Sequence, residues 1–424
     1  MLNRARRINS EFDFFLRLYI FFNVACAIYF SYTGFLGGDF ANDYPASPFW
    51  LVVALVVVLT TFYFFSCSLF KLFSSVKVTR YSQVNSVIID LILTSIFIYS
   101  IYVTIFYKIG VYGLDPDELE LVPGYLKQIY SVIQPIHFGI IYLFYRIGNY
   151  RFLTYINLVL YVALFLASGQ TNQFILIFAL YLFYRNNYAK PINMNMLVLL
   201  TMIGIAFYPF FRLLKIGIVG FQRDNTDLIQ FATLISSDFL SYYTTFLFVT
   251  LERFQIVANI SFLLEHFQEI YHTYSLSIGG GYIFNFFTTN WIIKFIMKSV
   301  GLYIDADASV SPQTFLALLI NGRDFWASHI GVFGYYIFYG ISSVFIYLFI
   351  IAIMFVTIIL CKKMSINNNL LLLSRLLVLI IICHGWLMAF VFFLQALFLF
   401  YCLIYIVRGL NKSQVSPHRM LEDV

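Results

Sequence analysis

The chain has 424 residues, of which 61% are hydrophobic and only 11% charged; a soluble domain carries about a quarter charged residues, so a soluble globular protein is excluded. The net charge of +6 does not call for a nucleic-acid partner, because the Lys and Arg fall in short connectors between apolar runs. All five cysteines (Cys26, Cys67, Cys361, Cys383 and Cys402) lie in or beside those runs with no CxxC, which argues against a disulfide framework and a thiolate metal centre.

In chain order, the basic N-terminus MLNRARRINS precedes a long apolar run without a small-residue cleavage site and reads as an uncleaved anchor. Spans are expected near 14–36, 49–70, 84–107, 125–145, 152–168, 171–184, 196–212 and 330–360. The last apolar run, 370–408, is too long for one crossing at about 1.5 Å per residue and is expected to fold as two spans hinged near His384 and Gly385. Lys71, Lys77, Arg80, Arg146, Arg151, Arg185, Lys190, Lys362 and Lys363 follow alternate spans. The intervening connectors hold Asp39 and Asp43, or Asp115, Asp117, Glu118 and Glu120 against Lys108. By the positive-inside rule, both termini are expected in the cytoplasm.

The expected fold class is therefore all-α, a polytopic membrane helical bundle. It would have an N-terminal bundle at 1–212, a long outer segment at 213–329 and C-terminal spans with a tail at 330–424. Two stretches of the outer segment, 228–251 and 276–298, are apolar enough to cross, which would raise the count from about ten to twelve. Partial embedding is the favoured reading, because Asp238 interrupts the first stretch and Lys294 and Lys298 crowd the second. No internal repeat of the kind that marks many transporters is visible.

Ionisable groups at or near membrane depth are costly and so are functional candidates. Arg212 and Lys215 end the seventh span in PFFRLLK, three residues apart and on one helix face. They suit a phosphate, or alternatively snorkel to headgroups. LERFQIVANISFLLEHFQEI (251–270) has an apolar stripe of Ile256, Val257, Ile260, Leu263, Leu264, Phe267 and Ile270 opposite Glu252, Gln255, Asn259 and His266. It reads as an amphipathic helix lying along the interface and presenting Arg253. The Gly279–Gly281 run reads as a re-entrant turn. In 305–334, Ser311-Pro312 is a helix start and Asn321-Gly322 a turn, delivering Arg323, Asp324 and His329 to the mouth of the next span. Gly331, Gly334 and Gly340 would let that span approach a neighbour closely. Within the spans, His137 and His384 read as interhelical hydrogen bonders. Asp90 and Arg375, near the inner ends, read as anchors or ion-pair members, and SGQTNQF (168–174) as a tight outer turn.

The order of short spans, the SGQTNQ turn, a span ending in Arg212, and a long outer segment carrying SPQT…NGRDFWASHIGVFGYYIFYG resembles the Wzy-type O-antigen polymerases over about residues 150–345. The small-Arg pair usual in the tight turn is absent, and Gln170, Thr171 and Asn172 stand there instead. The resemblance implies a GT-C-like architecture and glycosyl transfer at the periplasmic face. The donor would be a growing glycan on undecaprenyl diphosphate and the acceptor one lipid-linked repeat unit. It implies diphosphate binding by Arg212, Lys215, Arg253 and Arg323, and a general base among Glu252, His329 and Asp324, in that order. No cofactor and no metal are expected. Expected partners are the lipid-linked oligosaccharides, membrane lipid and a chain-length regulator. The rival readings are another lipid-linked-sugar glycosyltransferase or ligase, for which Asp39 and Asp43 would be metal-binding acids rather than turn residues, and a flippase or transporter.

Overall fold

The computed structural model describes residues 2–111, 122–190, 192–224, 238–252, 254–277, 299, 310–322, 327–364 and 368–413. It is an all-α, multi-pass membrane protein. Among the described residues, six helical runs are long and apolar enough to cross a membrane: Phe12–Thr33, Pro48–Ser75, Val87–Tyr107, Asn195–Leu213, Gly331–Met364 and Leu387–Leu410. The strands among the described residues are one short antiparallel pair, β1 (Phe35–Leu36) with β2 (Tyr44–Pro45), in the connector between α1 (Leu2–Thr33) and α2 (Pro48–Tyr63), which continues through a π-helical turn into α3 (Phe70–Ser75).

Where the described residues depart from the ten to twelve spans expected, the causes are local; most of 276–298 lies outside them. The run expected at 125–145 is two helices, α5 (Gly124–Ile133) and α6 (Pro135–Arg146), because Gln134 sits in the left-handed region at φ 51° just before Pro135. The carbonyls freed at that break are taken by Gln395, whose Nε2 donates to Ser131 O and Val132 O, each at 2.7 Å. The next two, α7 (Phe152–Ala167) and α8 (Gln173–Tyr188), have 16 residues each and rise only about 24 Å. Gly331–Met364 reads by length as one span, yet it folds at Gly340 (φ 54°). Tyr347 Oη donates to Val332 O at 3.2 Å, whereas a straight helix would separate those residues by about 22 Å. Its crossing part is therefore Ser343–Met364, with Gly331–Tyr339 packed back against it. The expected hinge in the last apolar run is present: Asn369–Leu377 continues as a π-helical turn to Ile382, and the chain reverses direction at Cys383–Gly385.

One end of the bundle collects the basic connectors. Tyr81 N donates to Lys363 O (2.9 Å), Arg80 to Asn368 (3.0 Å), Arg151 to Asn85 O (3.1 Å) and Arg408 to Ser82 O (2.5 Å). Just inside it, Arg146 from α6 meets Asp90 from α4 (Val87–Tyr107) with Nη2 at 2.6 Å and Nε at 2.9 Å from Oδ1, both side chains fully buried. Tyr142 Oη donates to the same oxygen at 2.9 Å, and Arg146 also reaches Asn85 and the Ser86 carbonyl. Such added hydrogen bonds offset the desolvation a buried ion pair carries. Arg375 is anchored differently: its guanidinium lies 3.8 Å from the Phe12 ring centroid and its Nε donates to Ser66 O.

At the opposite end, Phe239–Glu252 and Val257–Glu265 meet in an elbow bent by 67°. Asn23 of α1 holds the bend, donating to Phe254 O (3.5 Å) and accepting from Ile256 N (3.0 Å). Residues 257–263 are buried all round, which corrects the expected interfacial helix over 251–270. Its polar face has internal partners: Gln255 Oε1 accepts from Ala258 N at 2.9 Å, and Asn259 reaches Asp39 and Ser328. His266 and Glu269 do face outward, 3.4 Å apart. The helix Pro312–Asn321 begins as expected, with Ser311 Oγ accepting from Thr314 N, and ends at a left-handed Gly322. Buried Gln313 donates to Gly385 O at 2.6 Å, so this part of 213–329 is embedded in the bundle. The stretch 228–251 is helical from Phe239 onward; Gly279–Gly281 and most of 276–298 lie outside the described residues.

Candidate functional site

Four pieces of chain meet at the elbow: the first connector (Gly37–Phe40), Glu252 with Phe254–Ile256, the irregular Ala327–Ile330, and the reversal at Cys383–Trp386. The Gly38 amide donates to Glu252 Oε2. Gly38 is left-handed at φ 69°, and a Cβ at Gly37 would lie 2.8 Å from Glu252 Oε1 and 2.5 Å from the Phe30 ring. The glycine pair is what lets backbone approach a carboxylate this closely. Glu252 lies outside the six spans, against this connector. Burial pushes its carboxyl above the ordinary value of 4.5; the Gly38 hydrogen bond partly opposes this, and the nearby Asp39 charge reinforces it.

Asp39 Oδ2 accepts from Ser328 Oγ and from Asn259 Nδ2 (3.3 Å), and its carbonyl accepts from Asn321 Nδ2 (3.5 Å). Beside Ser328, His329 Nδ1 accepts from Trp386 Nε1 at 2.7 Å. The neutral imidazole then carries its proton on Nε2 and acts there as a donor. The reversal is docked by Gly331 N donating to His384 O (3.2 Å) and Val332 N donating to Cys383 O (3.3 Å). His384 hydrogen-bonds Leu379 O through Nδ1 at 3.0 Å, its ring edge-on to His329 with centroids 5.5 Å apart.

Of the expected site residues, Glu252 and His329 are brought to this one place, linked through Gly38, Asp39 and Ser328. Arg212 lies on α9 (Met194–Asp224), its guanidinium 5.5 Å from the centroid of Phe246, which precedes Glu252 on the same helix by about 9 Å of rise. One turn earlier on α9, Tyr208 meets Thr171 of the SGQTNQ turn at 3.4 Å, so that turn faces the Arg212 side of the helix. Lys215 is on α9 one turn further, its side chain outside the described residues, and Arg253, Arg323 and Asp324 lie outside them altogether. Ser328 and Trp386 are not singled out by the sequence pattern, Asn259 stands there on what looks like a solvated helix face, and Asp39 reads as a turn residue. The available signal was the Gly-Gly-Asp of the first connector. Among the described residues no group of three His, Cys, Asp or Glu is placed to hold a metal ion.

Comparison with family models, curated proteins and solved structures finds no match.

Proposed function

We propose that this protein is a Wzy-type O-antigen polymerase, transferring a growing glycan from undecaprenyl diphosphate to one lipid-linked repeat unit at the periplasmic face of the inner membrane. The observation that carries the reading is the half-buried Glu252 carboxylate, held by the Gly38 amide at the end of the bundle opposite the basic connectors. A carboxylate with a raised pKa is suited to accept the acceptor hydroxyl's proton. As the new glycosidic bond forms, the bond from the sugar's anomeric carbon to the diphosphate oxygen breaks. The leaving diphosphate takes the electron pair, and the proton goes to Glu252. Arg212 contributes positive charge toward that leaving group, and Lys215, Arg253 and Arg323 are the further candidates. His329, a donor at Nε2, suits stabilising the developing oxyanion better than acting as the base.

The test is complementation of a deletion strain, followed by analysis of its lipopolysaccharide. Wild type should restore a ladder of polymer, while Glu252→Gln at normal abundance should leave single repeat units. Complete absence of surface glycan in the deletion strain would instead favour a ligase or flippase.

A further inference from the structure

The first connector is held by residues remote in sequence. Asp39 bonds Ser328 and Asn259, 289 and 220 positions away. Asn259 Nδ2 also reaches Ser328 Oγ at 3.1 Å, closing a triangle of three side chains. Behind Asp39 the connector is stiff: Ala41 and Asn42 are both left-handed, Asn42 N donates to Leu36 O (3.0 Å), Asp43 N donates to Phe40 O (2.9 Å), and β1 pairs with β2. Tyr44 Oη reaches the carbonyl of Ile320 at 3.2 Å. A carboxylate serving only its own turn would bond backbone within a few residues; this one bonds side chains on two other elements.

We propose that Asp39 is a positioning residue for the transfer reaction: by clamping the connector to Ser328 and Asn259, it aims the Gly38 amide at Glu252 and keeps His329 at the elbow. The inference rests on the proposed glycosyl transfer with Glu252 as base. Asp39 acts through its neighbours and not on substrate, so its loss should appear as misplacement of Glu252. A misplacement of about 1 Å costs on the order of a hundredfold in rate.

Charge and clamp can be separated. Among the described residues, the titratable groups facing Glu252 are Asp39 from the connector and Cys26 from α1. Asp39→Asn keeps an oxygen that can accept from Ser328 but removes the negative charge, so Glu252 should ionise at lower pH. Asp39→Ala removes the clamp and frees the Gly38 amide from its aim, so Glu252 should ionise at higher pH than in Asp39→Asn.

The experiment is the rate of polymer formation against pH by full-length protein in membranes supplied with lipid-linked repeat units, normalised to protein abundance. The expected result for Asp39→Asn is a plateau within a few-fold of wild type and an acid limb moved to lower pH. Asp39→Ala should lose about a hundredfold, Ser328→Ala should fall between the two, and Asp39→Ala should add little to the defect of Glu252→Gln. Wild-type rate and an unmoved limb in both Asp39 variants would overturn the inference, as would a defect that multiplies fully with that of Glu252→Gln. Loss of rate in Asp39→Asn without movement of the limb would overturn it too. No polymer from wild type would refute the glycosyl-transfer reading itself.

Discussion

The backbone amide of Gly38 donates to the carboxylate of Glu252, joining two positions 214 residues apart at the end of the bundle opposite the basic connectors. Gly37 makes that approach possible, since a Cβ there would sit 2.8 Å from Glu252 Oε1 and 2.5 Å from a ring carbon of Phe30. Its backbone is extended, at φ −96°, so alanine meets no conformational barrier, only the two side chains. Gly37→Ala should therefore push aside both the buried Phe30 ring and Glu252, costing about 1–3 kcal/mol of stability, and polymer formation per molecule should fall about tenfold to a hundredfold. An unchanged rate would mean that Glu252 tolerates displacement and is not the base.

The pH dependence follows from the same carboxylate. Burial raises the Glu252 pKa, and a general base works only when deprotonated. Activity should thus be full above the Glu252 value and fall as pH drops through it, on a limb lying above the ordinary 4.5. Glu252→Asp should keep such a limb with a lower plateau, and Glu252→Gln should lose the limb together with the rate. A wild-type rate that stays flat to well below the ordinary carboxylate range would assign the base elsewhere.

How far the sequence reveals this site depends on how local each cause is. Ser311-Pro312 and Asn321-Gly322 bound a helix through contacts a few residues long, and that helix is where the pattern puts it. The reversal at His384–Gly385 is legible in the same way, because 370–408 is too long to cross once. Asn259 misleads: a polar residue opposite an apolar stripe looks solvated, yet Asp39 and Ser328, far along the chain, are its surroundings. Gly340 is visible as a glycine useful for close packing, whereas its positive φ breaks the run. Gly331 does behave as the pattern anticipates, since a Cβ there would come 2.8 Å from Ile260.

Arg212 tests the leaving-group side. Its guanidinium lies over Phe246 on the helix that ends in Glu252. Removing one charge-assisted contact to a transition-state diphosphate costs about 3 kcal/mol, roughly a hundredfold in rate. Arg212→Ala should show that loss at normal abundance, and Arg212→Lys should recover little if the contact is bidentate. If instead Arg212 serves only to stack on Phe246, alanine should lower stability by about 0.5–2 kcal/mol and leave the rate per molecule unchanged.

The Asp90–Arg146 pair should behave as a structural element. Both side chains are fully buried and share several hydrogen bonds. Arg146→Met leaves the carboxylate buried without its cation, a loss of about 3–5 kcal/mol. The protein should become scarce or melt early in detergent. Pairing it with Asp90→Leu removes the orphaned charge and should restore part of the stability. A double variant no better than Arg146→Met would show that the pair's other hydrogen bonds, and not its charges, dominate.

His329 gives the last prediction, because its partner fixes its role. Trp386 Nε1 is a donor only, so the Nδ1 it meets at 2.7 Å must be the unprotonated nitrogen. A neutral imidazole in that tautomer donates from Nε2, and a base acting through Nε2 would need the opposite tautomer. Glutamine places an N–H donor near the position of Nε2, while asparagine is too short to reach it. If His329 contributes a donor, His329→Gln should keep a measurable fraction of wild-type polymer formation, with His329→Asn and His329→Ala far lower. Trp386→Phe, which releases Nδ1 and lets the ring adopt either tautomer, should lower the rate only several-fold. The acid limb should remain in His329→Gln, since it belongs to Glu252. Its disappearance in that variant, with polymer formation as low as in His329→Ala, would identify His329 as the group that takes the proton and leave Glu252 a supporting part.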